Sequence, residues 1–262
     1  MSERLKNGLL FLLICLLFFG TRLFKLNQVP PSVYWDEASI GYNAYSVAFS
    51  LKDEWGEFLP LHFRAFGEFK LPVYIYSVVP FVKLFGLNEF AVRFPAVIYS
   101  LGSLIVVYLL SKRLSGKVWV GIFASFFLTI SSWFFILSRG GYEATTGLFF
   151  FLLGTYFGLL LNKNKLLIFL SVISFTLSLY SYNSFRIIVP IWITFLIFFL
   201  YPNLKKAREC VPIVVISSLL FVMSLVPVYR LIKYDAGVSR FTHVAIQNWR
   251  DFTKNYMSHF TP

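Results

Sequence analysis

A succession of long apolar runs, parted by short basic breaks, constrains this chain more than any other feature of its sequence. Runs at 90–110, 118–137, 144–161, 166–182, 187–201 and 211–229 mostly approach the ~20 residues a helix needs to cross a bilayer. A further run opens the chain behind a basic start, MSERLKNGLLFLLICLLFFG. No small-residue cleavage site follows it, so it reads as an uncleaved first span rather than a removed signal. With 58% hydrophobic and only 14% charged residues, a 262-residue soluble domain would lack polar surface to face water. The expected fold class is therefore an all-α integral membrane protein, a bundle of about seven transmembrane helices.

Charge sets the expected orientation. The stretch 71–86 is apolar but short, carries Pro72, Pro80 and Lys83, and could be counted in or out of the membrane. If it does not cross, Arg4 and Lys6, the group Lys112, Arg113 and Lys117, the pair Lys163 and Lys165, and the group Lys205, Lys206 and Arg208 all fall on one side, as the positive-inside rule requires. If it crosses, every later loop breaks that rule. The stretch 71–86 is accordingly placed in the interface. The N-terminus is then cytoplasmic, 27–89 is one long outer loop, and 138–143 and 182–186 are short outer turns. Residues 1–229 form the membrane module and 230–262 an outer segment. Of the twelve acids only Glu3 and Glu209 lie inside, so any chemistry belongs on the outer face.

Several functions are disfavoured. The net charge of +12 sits in breaks between spans rather than on a soluble face, which argues for topology and against nucleic acid. Cys15 and Cys210 have neither disulfide-framework nor zinc spacing, and His62, His243 and His259 are scattered. No cofactor is indicated, and metal dependence is left open. Arg22, Arg93 and Arg186 lie near span ends, where snorkelling would relieve their charge, so a mid-membrane ion relay or secondary transporter is not supported.

The outer loop opens PPSVYWDEASIGYNAYS. Asp36 reads either as a helix N-cap, favoured by free backbone N–H groups and the helix dipole, or as a general base flanked by Tyr34 and Trp35 at the membrane surface. Asp53, Glu54 and Glu57 read as a solvated turn. Lys70, in Gly67-Glu68-Phe69-Lys70-Leu71-Pro72, either snorkels or meets a lipid-linked phosphate as a point charge. Arg139 and Arg186, at outer ends of spans, can grip a phosphate bidentately or simply anchor a helix end. Glu143, in SRGGYEATTG, follows two glycines that would let the backbone approach a ligand closely, or else pairs with Arg139 at the surface.

Taken together, Tyr34-Trp35-Asp36-Glu37, then Gly67 to Pro72, then Leu84-Phe85-Gly86 followed by Glu89-Phe90-Ala91-Val92-Arg93-Phe94-Pro95, resemble the polytopic GT-C glycosyltransferases. The closest likeness is to the protein O-mannosyltransferase and aminoarabinose transferase group, also labelled glycosyltransferase family 39. The resemblance runs from about residue 5 to 240. It implies a GT-C-like bundle with interfacial helices in the first outer loop and a catalytic carboxylate pair, which falls on Asp36 with Glu37 beside it. It also implies transfer of a sugar, with inversion, from a polyprenyl-phosphate donor to a protein, lipid or glycan acceptor on the extracytoplasmic face. Lys70, Arg139 and Arg186 would then bind the donor phosphate, and Glu143, Tyr34 and Trp35 would position substrate. In a prokaryote the expected location is the plasma membrane.

Two departures accompany the likeness. Glu143 stands where the group usually has Asp, and such enzymes are commonly longer, which leaves truncation an open reading. The rival expectations are a non-catalytic membrane protein, such as a transporter or assembly partner, and an enzyme processing the lipid carrier by another reaction.

Overall fold

The computed structural model of the chain describes residues 2–66, 68–160, 166–204 and 248–258, together with positions 222, 225, 226 and 229. Ten helices and one hairpin are described: α1 (Glu3–Leu23), α2 (Trp35–Ser50), β1 (Phe63–Ala65), β2 (Glu68–Lys70), α3 (Pro72–Phe85), α4 (Glu89–Ser115), α5 (Val118–Ile130), α6 (Ser132–Arg139), α7 (Glu143–Leu159), α8 (Leu166–Leu179), α9 (Phe185–Leu204) and α10 (Trp249–Ser258). The protein is mostly helical, and the departure from the all-α expectation is the antiparallel hairpin, in which Phe63 pairs with Lys70 and Ala65 with Glu68.

Helix α1 touches the rest of the protein along one stripe, Ile14, Phe18 and Arg22, spaced four residues apart. Leu9, Leu10, Leu12, Leu13, Leu16 and Leu17 are all exposed, an arrangement that only lipid can solvate. α4 is capped at its start by Asn88, whose side chain accepts the Ala91 N–H at 2.9 Å, and at its end by Gly116, in the left-handed conformation that a residue without Cβ adopts freely. Of the described helices α1 and α4 are long and apolar enough to cross a membrane.

The expected span at 118–137 is not one rod. It breaks into α5 and α6 at Ser131 with a bend of 67°, and only the two pieces together reach spanning length. The break has a local cause: Ser131 leaves the helical conformation to cap α6, its hydroxyl accepting the Phe134 N–H at 3.4 Å. Helices occupy the expected positions at 144–161, 166–182 and 187–201, but α8 has 14 residues, about 21 Å, less than a ~30 Å hydrocarbon core. The expected seventh span at 211–229, the inner basic groups at 163–165 and 205–208, and His243 and His259 lie outside the described residues, apart from positions 222, 225, 226 and 229.

Helix–helix packing on the far side of the bundle is made by small residues. Buried Ser171 and Ser178 of α8 donate to the carbonyls of Gly154 (2.7 Å) and Gly147 (2.9 Å) on α7. Lipid tails are as apolar as leucine, so close backbone approach and interhelical hydrogen bonds hold helices together there.

The short α3 has 14 residues, too few to cross unaided. Pro72 begins it, where a fixed φ and a missing N–H do no harm. Its buried Tyr74, Ile75, Val78 and Val82 pack with Ile40, Ala44 and Val47 of α2 and Ala91, Val92 and Ala96 of α4. This cluster is the platform on which the loop between α1 and α3 sits.

Candidate functional site

The loop between α1 and α3 presents its two adjacent carboxylates very differently. α2 begins at Trp35 with Tyr34 in the N-cap position, so Asp36 is not the cap expected from sequence but lies in the first turn. The capping role falls to Glu37, whose Oε2 accepts the Tyr34 N–H at 3.1 Å. Glu37 is 3% exposed and bound on all sides. Its Oε1 accepts from Arg93 Nε (2.8 Å) and the Gly141 N–H (2.8 Å), and Oε2 also accepts from Arg93 (3.0 Å). Burial alone would raise this carboxyl's pKa. The Arg93 guanidinium, with the Gly141 and Tyr34 N–H groups, outweighs burial and holds it below its ordinary value.

Asp36 remains one-third exposed. Its Oδ1 accepts from Lys70 Nζ at 2.6 Å, and the lysine is itself buried at 5% exposure. The hairpin delivers this cation: Lys70 closes β2 opposite Phe63, two residues before α3. Lys70 therefore does not snorkel. Trp35, next to Asp36 in sequence, stacks on Phe66 of the hairpin at 5.1 Å and meets Tyr34 edge-on at 5.7 Å.

Arg22 and Arg93 correct the snorkelling expectation, being 1% and 0% exposed. Arg93 donates to the carbonyls of Leu26, Pro30 and Ser32 as well as to Glu37. Arg22 donates to the Thr129 carbonyl at 2.7 Å, next to the α5–α6 bend, and to Ser138 Oγ at 3.3 Å. Arg139, 4% exposed, donates to the carbonyls of Thr21, Arg22, Phe24, Lys25 and Val29. Carbonyls at a helix C-terminus lack intrahelical partners and carry partial negative charge. The three arginines thus fasten the chain leaving α1 to α4, α5 and α6, and Arg139 has both terminal nitrogens committed to that task.

Glu143 opens α7 and Arg186 lies in the first turn of α9. A hydrogen bond from the Val73 N–H to the Tyr180 carbonyl (3.3 Å) joins the start of α3, just after Lys70, to the turn before α9. The glycine pair 140–141 does serve close approach, but Gly141 approaches Glu37: a Cβ there would meet Val92 at 3.0 Å and Glu37 at 3.3 Å. The turn at 53–57 is not merely solvated. Asp53, 4% exposed, accepts the N–H groups of Trp55 and Glu57, and buried Asn43 donates to Glu54 at 2.9 Å.

Two grooves flank α2. One of about 410 Å³ is lined by Val33, Glu37, Gly41, Tyr42, Leu87 and Arg93. The other, about 330 Å³, is lined by Ser39, Tyr42, Glu54, Trp55, Arg64 and Phe66 and opens beside the Trp35–Phe66 stack. Among the described residues no group of three or more His, Cys, Asp or Glu is placed to hold a metal ion.

Sequence reasoning passed over Tyr142, took Arg93 for a snorkelling side chain, and expected the glycine pair to approach a ligand rather than Glu37. Tyr142's phenol is raised above its ordinary pKa first by burial and then by Glu37, with Tyr34 and Asp36 adding to it. A signal for Arg93 was present: an arginine buried in an apolar run requires a counter-charge, although the sequence does not say which acid supplies it.

One polar loop of this helical membrane protein gathers a carboxylate, a buried lysine and aromatic rings. Comparison with known families is specific: the sequence profile of the dolichyl-phosphate-mannose-protein mannosyltransferases matches residues 70–229, and the chain belongs to that family. Membership implies glycosyltransferase activity on a polyprenyl-phosphate-sugar donor. The matched stretch begins at Lys70, so Asp36 and Glu37 precede it. No curated protein matches the chain.

Proposed function

We propose that the protein transfers a sugar from a polyprenyl phosphate to an acceptor hydroxyl on the extracytoplasmic face, with inversion at the anomeric carbon and Asp36 as general base. The observation that carries this reading is the Asp36–Lys70 pair at 2.6 Å, a part-exposed carboxylate beside a buried cation, the two groups a base and a phosphate partner would require. Of the acidic pair only Asp36 has lone pairs to spare, since both Glu37 oxygens are filled by Arg93, Gly141 and Tyr34. Glu37 therefore positions the start of α2 rather than taking a proton.

In the reaction the acceptor oxygen attacks the anomeric carbon as its proton passes to Asp36 Oδ2. The bond from that carbon to the phosphate oxygen breaks, and the electron pair leaves with the phosphate. A phosphate needs no general acid to depart. Lys70 and Arg186 would stabilise the charge it gains. Arg139, its fork directed at five carbonyls, supports the site from behind. The acceptor would approach along the groove of Ser39, Tyr42, Trp55 and Phe66, past Trp35 and Tyr34, with Glu143 positioning the substrate from the start of α7. Whether that acceptor is a protein, as the family description states for its members, a lipid or a glycan is decided by assaying each.

The test is transfer of radiolabelled sugar from polyprenyl-phosphate donors by membranes containing the chain, with Asp36→Asn alongside. The amide keeps the shape but cannot accept the proton, so turnover should fall roughly 10²- to 10⁴-fold with membrane insertion unchanged. Full activity in the variant would sink the assignment.

A further inference from the structure

An apolar face on a helix too short to cross a bilayer needs a cover of another kind. The ten residues of α10 make a rod of about 15 Å, roughly half the depth of a hydrocarbon core. The rod starts on a local signal: the Asn248 side chain accepts the Asp251 N–H at 2.8 Å, and its amide donates to the Asp251 carboxylate at 2.7 Å. None of its residues is buried. Trp249, Phe252, Tyr256 and Met257 are 76%, 40%, 56% and 59% exposed. The three rings stack in series, with centres 5.0 and 6.1 Å apart and planes 22° and 13° from parallel. At about 100° of turn per residue, these four side chains and Thr253 fill one arc of roughly 140°. Arg250 and Lys254, one turn apart, line an edge of that arc, and Asp251, Asn255 and Ser258 take the far side. Over 230–262 five basic residues outnumber two acidic ones.

We propose that α10 lies flat in the headgroup layer of the bilayer, its aromatic face sunk to the acyl boundary and Arg250 and Lys254 set against anionic lipid headgroups. Trp and Tyr suit that depth, because the body of each ring leaves water while the indole N–H or phenol stays among polar groups. Basic side chains at the edge of an apolar face carry their charge up to the phosphates on long stems, and a net positive helix favours an anionic surface. The apolar run at 211–229 ends 20 residues before Trp249, so α10 is tethered near a membrane and needs little apolar area to stay on it. α10 lies beyond the residues 70–229 that define the family match, and family membership says nothing of this role.

The test places a fluorophore on each face of α10 in the full-length protein. With Cys15→Ala and Cys210→Ala as background, an environment-sensitive label is attached at Thr253→Cys or at Asn255→Cys, two positions about 160° apart on the rod that spare every ring and both basic residues. The protein is reconstituted in phosphatidylcholine vesicles with or without phosphatidylglycerol. Lipids carrying a quencher on the acyl chain should dim the Thr253 label roughly 3-fold more than the Asn255 label, and iodide on both sides of the bilayer should do the reverse. The lipid quenching at Thr253 should grow with phosphatidylglycerol, and Arg250→Glu with Lys254→Glu should cancel that growth. Equal quenching of the two labels from lipid and from water would overturn the proposal by placing α10 in solvent. A Thr253 label shielded from both quenchers would overturn it in favour of a protein cover, whether another part of the chain or a second copy. Lipid quenching indifferent to phosphatidylglycerol and to the charge reversal would overturn the assignment of anionic headgroups.

Discussion

Asp36 and Glu37 are neighbours in sequence and opposites in circumstance, one part-exposed on a lysine, the other buried on an arginine. Replacing Lys70 by Met removes the cation without adding bulk, and kcat/KM for the lipid-linked donor should drop about 10²-fold. An unchanged value would remove Lys70 from phosphate binding. Glu37 predicts a stability effect. Glu37→Gln leaves the buried Arg93 with carbonyl partners only, and breaking one side of a buried pair typically costs about 3–5 kcal/mol, read as a large fall in melting temperature at pH 7. The pH dependence follows from the depressed pKa. The folded state favours the ionised carboxylate, so this contribution is fully present above the unfolded value of about 4.5 and fades as pH falls through the lower folded value. Below pH 4.5 the wild type should therefore lose melting temperature more steeply than Glu37→Gln, and parallel curves would contradict the linkage. At this scale the sequence displayed every charge but none of the pairings, since Arg93 lies 56 residues from Glu37 and Lys70 lies 34 from Asp36.

At the scale of elements, the site is a junction rather than a loop. The end of α1, the start of α2, the hairpin, the start of α4 and the α6–α7 turn each place one group. One close approach is at Gly141, whose N–H reaches Glu37 at 2.8 Å and where a Cβ would sit 3.0 Å from Val92 and 3.3 Å from Glu37. Gly141→Ala should push the α6–α7 turn away from α2 and lower transfer several-fold while the spans still insert. Wild-type turnover in that variant would show that the contact is dispensable. The two glycines before α7 were legible as a place of close approach. That the partner is Glu37 was not, because a glycine marks permitted proximity without naming what comes near. The α5–α6 bend was hidden for a similar reason: an apolar run has the same composition straight or bent, and Ser131 caps only if the chain turns.

For the whole molecule, orientation is the property from which the location of the chemistry follows. Single cysteines introduced in place of Glu57, in the long loop, and Lys117, before α5, should behave oppositely toward a membrane-impermeant thiol reagent added to intact cells. Glu57→Cys should label and Lys117→Cys should not, and the reverse pattern would invert the proposed topology. Much of this level could be read from sequence. Hydropathy periodicity and basic breaks are local quantities, and the bilayer acts on each segment separately, so the chain's own order of apolar and charged residues determined that it is a helical membrane protein with one polar loop rich in acids. Tertiary structure decided what each polar group is for. Three arginines alike in sequence, each at the end of an apolar run, became a splint of α1 carbonyls, an anchor for Glu37 and a brace at the α5–α6 bend. Which of these roles an arginine takes depends on what lies within about 3 Å of its guanidinium, and that distance exists only once the chain has folded.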